Sequence, residues 1–495
     1  MNAQDLAGNA VATIMLEYDI YRGTIYYVNA SRPDDTGDGL SVSTARKFIH
    51  AAVADALVPA TILVAEGEYR LSNDLSTHIV LREGVSLYGG YSSDFLSRAP
   101  ATSISTIEDR STSNNPASFD SPHRAIEGTN NSSNITSETV IDGFTIYGSP
   151  LSGPDYTAAI FLINALPTIQ NNTINGGGGS FFSYGIYSWA SPTVQNNTIH
   201  GGNGGTGSFG IINRSNAIVR NNTIYGGSGD SSHGISHLYG SATAQNNTIH
   251  GGDGTSSYGI TNSNTATPVI RSNTIHGGSG SNTSYGISSN DAAPRVLNNT
   301  IYGGSGGNAS YGMRNDSSSP FVQNNTIHGG NSINAAYSIY NGASSSPEIN
   351  NNIFLSRSGV NAYCFSEDLV NAVSDPVSLK NNVFSGCAIL YYDFDNGCSS
   401  GTDCTRISQV NVLAGISGGA SDNVATDPLF VDIDGADDDI NTMDDNDWHY
   451  SVASPVSITE GGLNGIDENW GFNTDKDEVN RPASGNPWSI GAYEP

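Results

Sequence analysis

The chain has 495 residues, 13% of them charged, with 58 Gly, four Met, three Lys (Lys47, Lys380 and Lys476) and a formal net charge of −28. A charged fraction about half of the roughly 25% typical of globular domains leaves little capacity for surface helices, while abundant Gly, Asn, Ser, Thr and Ile favour turns and short strands. The acidity argues against nucleic acid or an anionic membrane as partner, since both need clustered Lys and Arg, and no stretch approaches the ~18–20 apolar residues of a membrane span.

Residues 1–22 lack the basic start and apolar core of a signal peptide. Asp5-Leu6-Ala7-Gly8-Asn9-Ala10 resembles the closing strand of bacterial immunoglobulin-like repeats. These residues are therefore expected to be the remnant of a preceding domain or linker in a longer exported protein. Residues 23–139 read as an N-terminal cap and first coils. Ser43 to Leu57 predicts an amphipathic helix with Phe48, Ile49, Ala52, Val53, Ala56 and Leu57 on one face, stopped by Pro59, and Thr61 to Ala65 predicts a strand. Such a helix plugs the first coil and hides its open edge.

Residues 140–390 are governed by the phrase Asn-Asn-Thr-Ile-x-Gly-Gly. Its second Asn falls at 172, 197, 222, 247, 273, 299, 325, 352 and 382, in steps of 25, 25, 25, 26, 26, 26, 27 and 30 residues. Val140 to Gly148 is a degenerate earlier copy, and Leu87-Tyr88-Gly89-Gly90 suggests one earlier still. Each period carries three short apolar beats, as in Pro167-Thr168-Ile169-Gln170, Thr173-Ile174 and Tyr184-Gly185-Ile186. Three strands separated by turns make one triangular coil, and stacked coils make an all-β, right-handed parallel β-helix. Leucine-rich repeats, nonapeptide calcium repeats and propellers differ in composition or period.

Strand alternation places Ile169, Ile174 and Ile186 inside. It also places the aromatics two residues before the last Ile of each coil (Tyr184, Phe209, Tyr258, Tyr285, Tyr311 and Tyr337) inside, as an internal ladder. The Asn pair predicts a two-residue turn that tolerates positive φ, with Asn side chains bonded from coil to coil.

Cys364, Cys387, Cys398 and Cys404 lie close together, suit two disulfides in any of three connectivities, and point to an oxidising compartment. From Leu390 to Pro495 there are 20 acidic residues against Arg406, Lys476 and Arg481. Residues 391–495 lose the period and are expected to form an irregular acidic cap over the last coil.

Ile25-Tyr26-Tyr27-Val28-Asn29, Gly37-Asp38-Gly39, the helix, Ile62 to Tyr69 and the Asn-Asn-Thr-Ile coils together resemble pectin-lyase-like parallel β-helix repeat proteins. The tail, with Asp427-Pro428-Leu429-Phe430, Arg481-Pro482 and Ile490-Gly491-Ala492-Tyr493-Glu494, resembles the bacterial choice-of-anchor type. The resemblance implies an extracellular or bacterial cell-surface setting. It leaves activity open, because this superfamily includes lyases, hydrolases and adhesins. Its lyases are implied to pair Ca²⁺-holding carboxylates with an Arg or Lys base, and its hydrolases to use two carboxylates.

The regular coils between Pro167 and Asn352 contain just Asp230, Asp253, Asp291, Asp316 and Glu348 as acids. Asp291, Asp316 and Arg314, with Arg295 near Asp291, form the best catalytic candidate set, although a solvated ion cluster explains it as well. A second candidate is the outward stripe after the Thr-Ile beat, where Tyr147 and Asn175 are followed by His200, Tyr225, His250, His276, Tyr302 and His328. It suits either cross-coil stacking or contact with an extended glycan. Tyr187, Trp189, Arg214 and His237 are expected outside as a possible sugar patch. Asp432, Asp434, Asp437, Asp438 and Asp439 crowd carboxylates that suit Ca²⁺, without the spacing of an EF-hand. The sequence thus favours a non-catalytic exported stalk or glycan-binding adhesion module, the alternative being a lyase or glycoside hydrolase on an acidic polysaccharide.

Overall fold

The computed structural model describes residues 21–71, 78–111, 121–129, 134–150, 156–342, 344–356, 361–368, 374–395, 398, 402–437 and 446–495. The reading of residues 1–20 lies outside them.

Three long sheets build the molecule, with 14, 12 and 13 strands among the described residues, all parallel except the last strand of the 13, Asp403–Cys404. Sheet I contains strands such as Thr168–Gln170, sheet II strands such as Thr173–Asn175, and sheet III longer strands such as Phe182–Trp189. Each strand pairs with its equivalent one coil away, Ile169 with Val194, Ile174 with Ile199 and Ile186 with Ile211. This is the expected all-β parallel β-helix, right-handed as crossovers between parallel strands are. One continuous core of Ile, Val and Leu runs through its centre.

The two Asn of each pair have different roles. The first takes the left-handed conformation that turns sheet I into sheet II (Asn171 at φ 55°, Asn196 at 56°, Asn221 at 56°). The second points inward and forms a ladder. Asn172 donates from its backbone N and its Nδ2 to Asn197 Oδ1 at 2.9 and 3.1 Å, and the pattern repeats through Asn222, Asn247, Asn273, Asn299, Asn325, Asn352 and Asn382. One further rung, Asn423, lies 41 residues beyond Asn382, and Asn411 Oδ1 terminates the ladder by accepting from Asn423 N and Nδ2.

At the first coil, the helix Ile49–Asp55 buries Ile49, Ala52 and Val53 against the core. It is shorter than the predicted span: Val42–Thr44 is a 3-10 turn capped by Ser41, and Phe48 and Leu57 are exposed. Cys364–Cys387 and Cys398–Cys404 are the disulfides, beside the short helix Ile407–Val410 at the other end.

The tail takes a different course from the expected end cap. After Asn423 it runs back along the corner between sheets I and II. Trp448, Tyr450, Ile458, Ile490 and Tyr493 pack on Tyr302, Ile353, Leu355 and Val383, and Trp470, Phe472 and Trp488 pack on Leu297. The first Asn of five pairs holds it there. Nδ2 of Asn246, Asn298, Asn324, Asn351 and Asn381 donates in turn to Glu478 Oε1 and to the carbonyls of Thr474, Ser489, Leu463 and Gly461. Arg481, fully buried, ties the strap together by pairing with Glu494 and donating to Asn298 Oδ1 at 3.0 Å and Gly491 O at 3.0 Å.

Candidate functional site

Sheet III departs from strict alternation. Strand pairing passes directly from Tyr184↔Phe209 to Ile186↔Ile211, and an added Cβ on Gly185 would lie 2.6 Å from Ile199 Cγ2 and 2.6 Å from Gly210 O. At this break in the pleat Ile186 enters the central core, while Tyr184 and Tyr187 lie in a separate outer cluster with Phe161 and Phe209. The aromatic ladder predicted inside is therefore outside. It runs Tyr184, Phe209, His233, Tyr258, Tyr285, Tyr311, Tyr337, Tyr363, with centroids 4.4–5.5 Å apart and planes within 28° of parallel.

Arg314 and Asp316 sit beside this ladder. Arg314 Nε donates to Asp316 Oδ2 at 2.7 Å, and the guanidinium lies 5.5 Å from the Tyr340 ring and 5.7 Å from that of Tyr311. Asp291 is exposed in a left-handed turn at φ 51° and joins Asp316 through the backbone, its N donating to Asp316 O at 3.0 Å. Among the described residues its carboxylate shares no hydrogen bond or ion pair with Arg314. Arg295 reaches the tail at Trp470 O and lies 4.6 Å from the Phe321 ring, and among the described residues it forms no ion pair with Asp291. Of the candidate catalytic set, Arg314 and Asp316 are thus brought together as an ion pair, and the Asp291 carboxylate is not joined to it.

In the Trp189 cluster, Arg214 lies 4.5 Å from the Trp189 ring and donates to Tyr187 Oη at 3.1 Å, with Trp189 exposed. His237, expected outside, pairs with Asn213 inside the coil and is fully buried. Burial pulls it down to about 4.

The sheet II stripe is longer than the sequence suggested. Register aligns Arg70, Glu108, Tyr147, Asn175, His200, Tyr225, His250, His276, Tyr302, His328 and Leu355 in one outward column. His200 stacks on Tyr225 at 4.7 Å and Tyr225 on His250 at 4.9 Å. His276, Tyr302 and His328 are at most 7% exposed, lying under the tail with Trp448 at the end of the column. They cannot meet an external ligand in this structure. The sequence carries a sign of this cover, because the outward Thr and His or Tyr give way to Ile353, Leu355 and Val383.

Rings stacked face to face present their edges to solvent. Open faces remain where a column is interrupted, and that place is a groove of about 490 Å³ lined by Glu108, Tyr147, Pro150, Asn175, His200 and Asn203. Tyr147 is 41% exposed, and among the described residues no ring stacks on it. His200, neighboured by Asn175 on one side, has a ring on the other side alone. Burial lowers its pKa and so favours the neutral ring. Glu108 pairs with Arg110 at 2.9 Å and lies 3.6 Å from Arg70. Glu108 and Arg70 were missed in the sequence because they precede the regular phrase.

Of the predicted calcium ligands, Asp432, Asp434 and Asp437 do not gather with one another, and Asp438 and Asp439 lie outside the described residues. Among the described residues the one grouping whose oxygens could share a cation is Glu367, Asp393 and Asp395, all within 4.8 Å.

Residues 34–237 match the family described as "Protein of unknown function (DUF1565)". No curated protein matches the chain. Among solved structures, the chain is similar to the pectate lyase Pel9A (14% identity, 95% of this chain and 96% of that one, TM-score 0.46). It is also similar to the XylC complex with xylose (12%, 95% and 98%, 0.48) and the Dettilon tailspike protein (14%, 73% and 66%, 0.46).

Proposed function

We propose that this chain is a non-catalytic, extracellular β-helix module of the bacterial cell surface, which binds an extended glycan along the open half of the sheet II stripe. The observation that carries this reading is the groove at Tyr147 and His200, where aromatic faces are free to take sugar rings beside Asn175, Asn203 and Glu108. The two disulfides suit an oxidising, extracellular setting. The alternative, a lyase or glycoside hydrolase, requires charged groups converging on one bond, and Asp316 is instead committed to Arg314.

A panel of neutral and acidic polysaccharides, tested by affinity electrophoresis with reducing ends and unsaturated products assayed in parallel, tests the proposal. The expected result is retardation by at least one glycan, weakened about tenfold in Tyr147→Ala, with no product formed. Turnover abolished by Asp316→Asn would replace this reading with the enzymatic one.

A further inference from the structure

The open stripe ends where the tail crosses it, and a second cavity of about 220 Å³ lies at that crossing. It is lined by Thr248, Thr274 and Thr300 from sheet II and by Asn446, Trp448, Lys476 and Tyr493 from the tail. These threonines precede His250, His276 and Tyr302 by two residues, so the cavity adjoins the point at which the stripe goes under cover.

The lining has a definite chemical bias. Trp448 is 2% exposed, and its indole Nε1–H, a group that can only donate, is buried without a hydrogen-bond partner among the described residues. Lys476, likewise a pure donor, sits 5.5 Å from the Tyr493 ring, and among the described residues no carboxylate pairs with it. Among the described residues, the acids around it are engaged elsewhere. Asp475 accepts from the backbone N of Asp477, Val479 and Glu494, Asp447 and Asp477 hold His449, Glu494 pairs with Arg481, and Glu478 accepts from Asn246. Thr300 Oγ1 already donates to Tyr493 Oη at 3.4 Å. The volume is below the roughly 300–1,000 Å³ of pockets for drug-sized ligands, which limits an occupant to about one small ring.

We propose that this cavity is an end site for a single carboxylate-bearing sugar, its acid group taken by the Lys476 ammonium and the Trp448 N–H. The inference deepens the glycan reading above: the groove at Tyr147 holds the body of the chain, and the tail supplies a stop that recognises an acidic unit. Lys476 and Trp448 both belong to the tail, so the strap contributes to recognition as well as to stability.

Isothermal titration of the full chain with sodium D-glucuronate, D-glucose and sodium acetate tests this. Glucose lacks the carboxylate and acetate lacks the ring. Glucuronate is expected to bind at least about tenfold more tightly than either, with Lys476→Gln and Trp448→Phe each losing about tenfold or more. Lys476 is partly buried and has no carboxylate partner among the described residues, so Lys476→Gln is expected to melt with the wild type, which separates lost binding from lost folding. Glucuronate binding no tighter than glucose, acetate binding as tight as glucuronate, or an unaffected Lys476→Gln overturns the end site. Loss of polysaccharide retardation in Tyr147→Ala tests the groove separately, so either reading can fail without the other.

Discussion

Asn273 shows how much one side chain holds. Its Nδ2 donates to Ala244 O, Arg271 O and Asn299 Oδ1, and its Oδ1 accepts from Asn247 N and Nδ2, all near 2.9–3.0 Å and fully buried. Replacement by Ala leaves several buried backbone groups unpaired, and Asn273→Ala is expected to cost about 2–4 kcal/mol, read as a lowered urea midpoint. His237 supplies a pH dependence. Its folded pKa of about 4 lies below the ordinary 6.5. The unfolded chain therefore binds the proton first, and stability present above pH 6.5 is lost as pH falls toward 4, by up to about 3 kcal/mol. Asn stands at this inward position one coil to either side, at Asn213 and Asn262. Melting curves of His237→Asn between pH 7 and 4 should be flatter than those of the wild type. An unchanged slope would mean that His237 does not carry the effect. Glu367 works in the opposite sense, because burial pushes it up to about 8 against the bond from Tyr391, and its contribution is lost as pH rises toward that value.

At the level of elements, the tail strap is the largest departure from the sequence reading. The repeat made the coils, the Ile core and the inner Asn ladder legible because each rests on a residue type recurring at one step. Nothing in the tail recurs. Its anchors, Trp448, Trp470, Arg481 and Trp488, are spaced by the shape of the flank they cover, and the outer Asn residues that bond Arg481 and the strap's carbonyls looked like turn formers alone. The inward placement of the sheet III aromatics failed for a related reason. Alternation assumes an unbroken pleat, and the glycine between Tyr and Ile breaks it. Two outcomes test the strap. Arg481→Met strands the buried Glu494 carboxylate and should cost about 3–5 kcal/mol, with faster proteolysis of the tail, while adding Glu494→Gln should restore part of the loss. His449 bonds Asp447 at 2.6 Å and Asp477 at 2.7 Å; burial works against its charge, but these partners hold its pKa above the usual value. Its contribution is complete below pH 6.5 and is lost as pH rises through the elevated pKa, so the strap should loosen toward alkaline pH. In His449→Gln, limited proteolysis of the tail should lose that pH dependence; a wild-type profile would assign the loosening to other groups.

For the whole molecule, a solenoid of short coils gives long flat faces and few deep sites, and function depends on where those faces are left open. Stacking closes the outer ladder of sheet III, and the tail closes the distal half of the sheet II stripe. The groove between Glu108 and His200 stays open because Tyr147 and Asn175 interrupt the column. The sequence showed the stripe but not which half was accessible, since access depends on the path of the tail. Hydrogen–deuterium exchange of the full chain with the glycan it retains most strongly is the most direct test of this reading. Protection is expected at the turns around residues 147–150, 175–178 and 200–203, with sheet III unaffected. Protection centred on Tyr285, Tyr311 and Arg314, or cleavage of the glycan during the experiment, would contradict it.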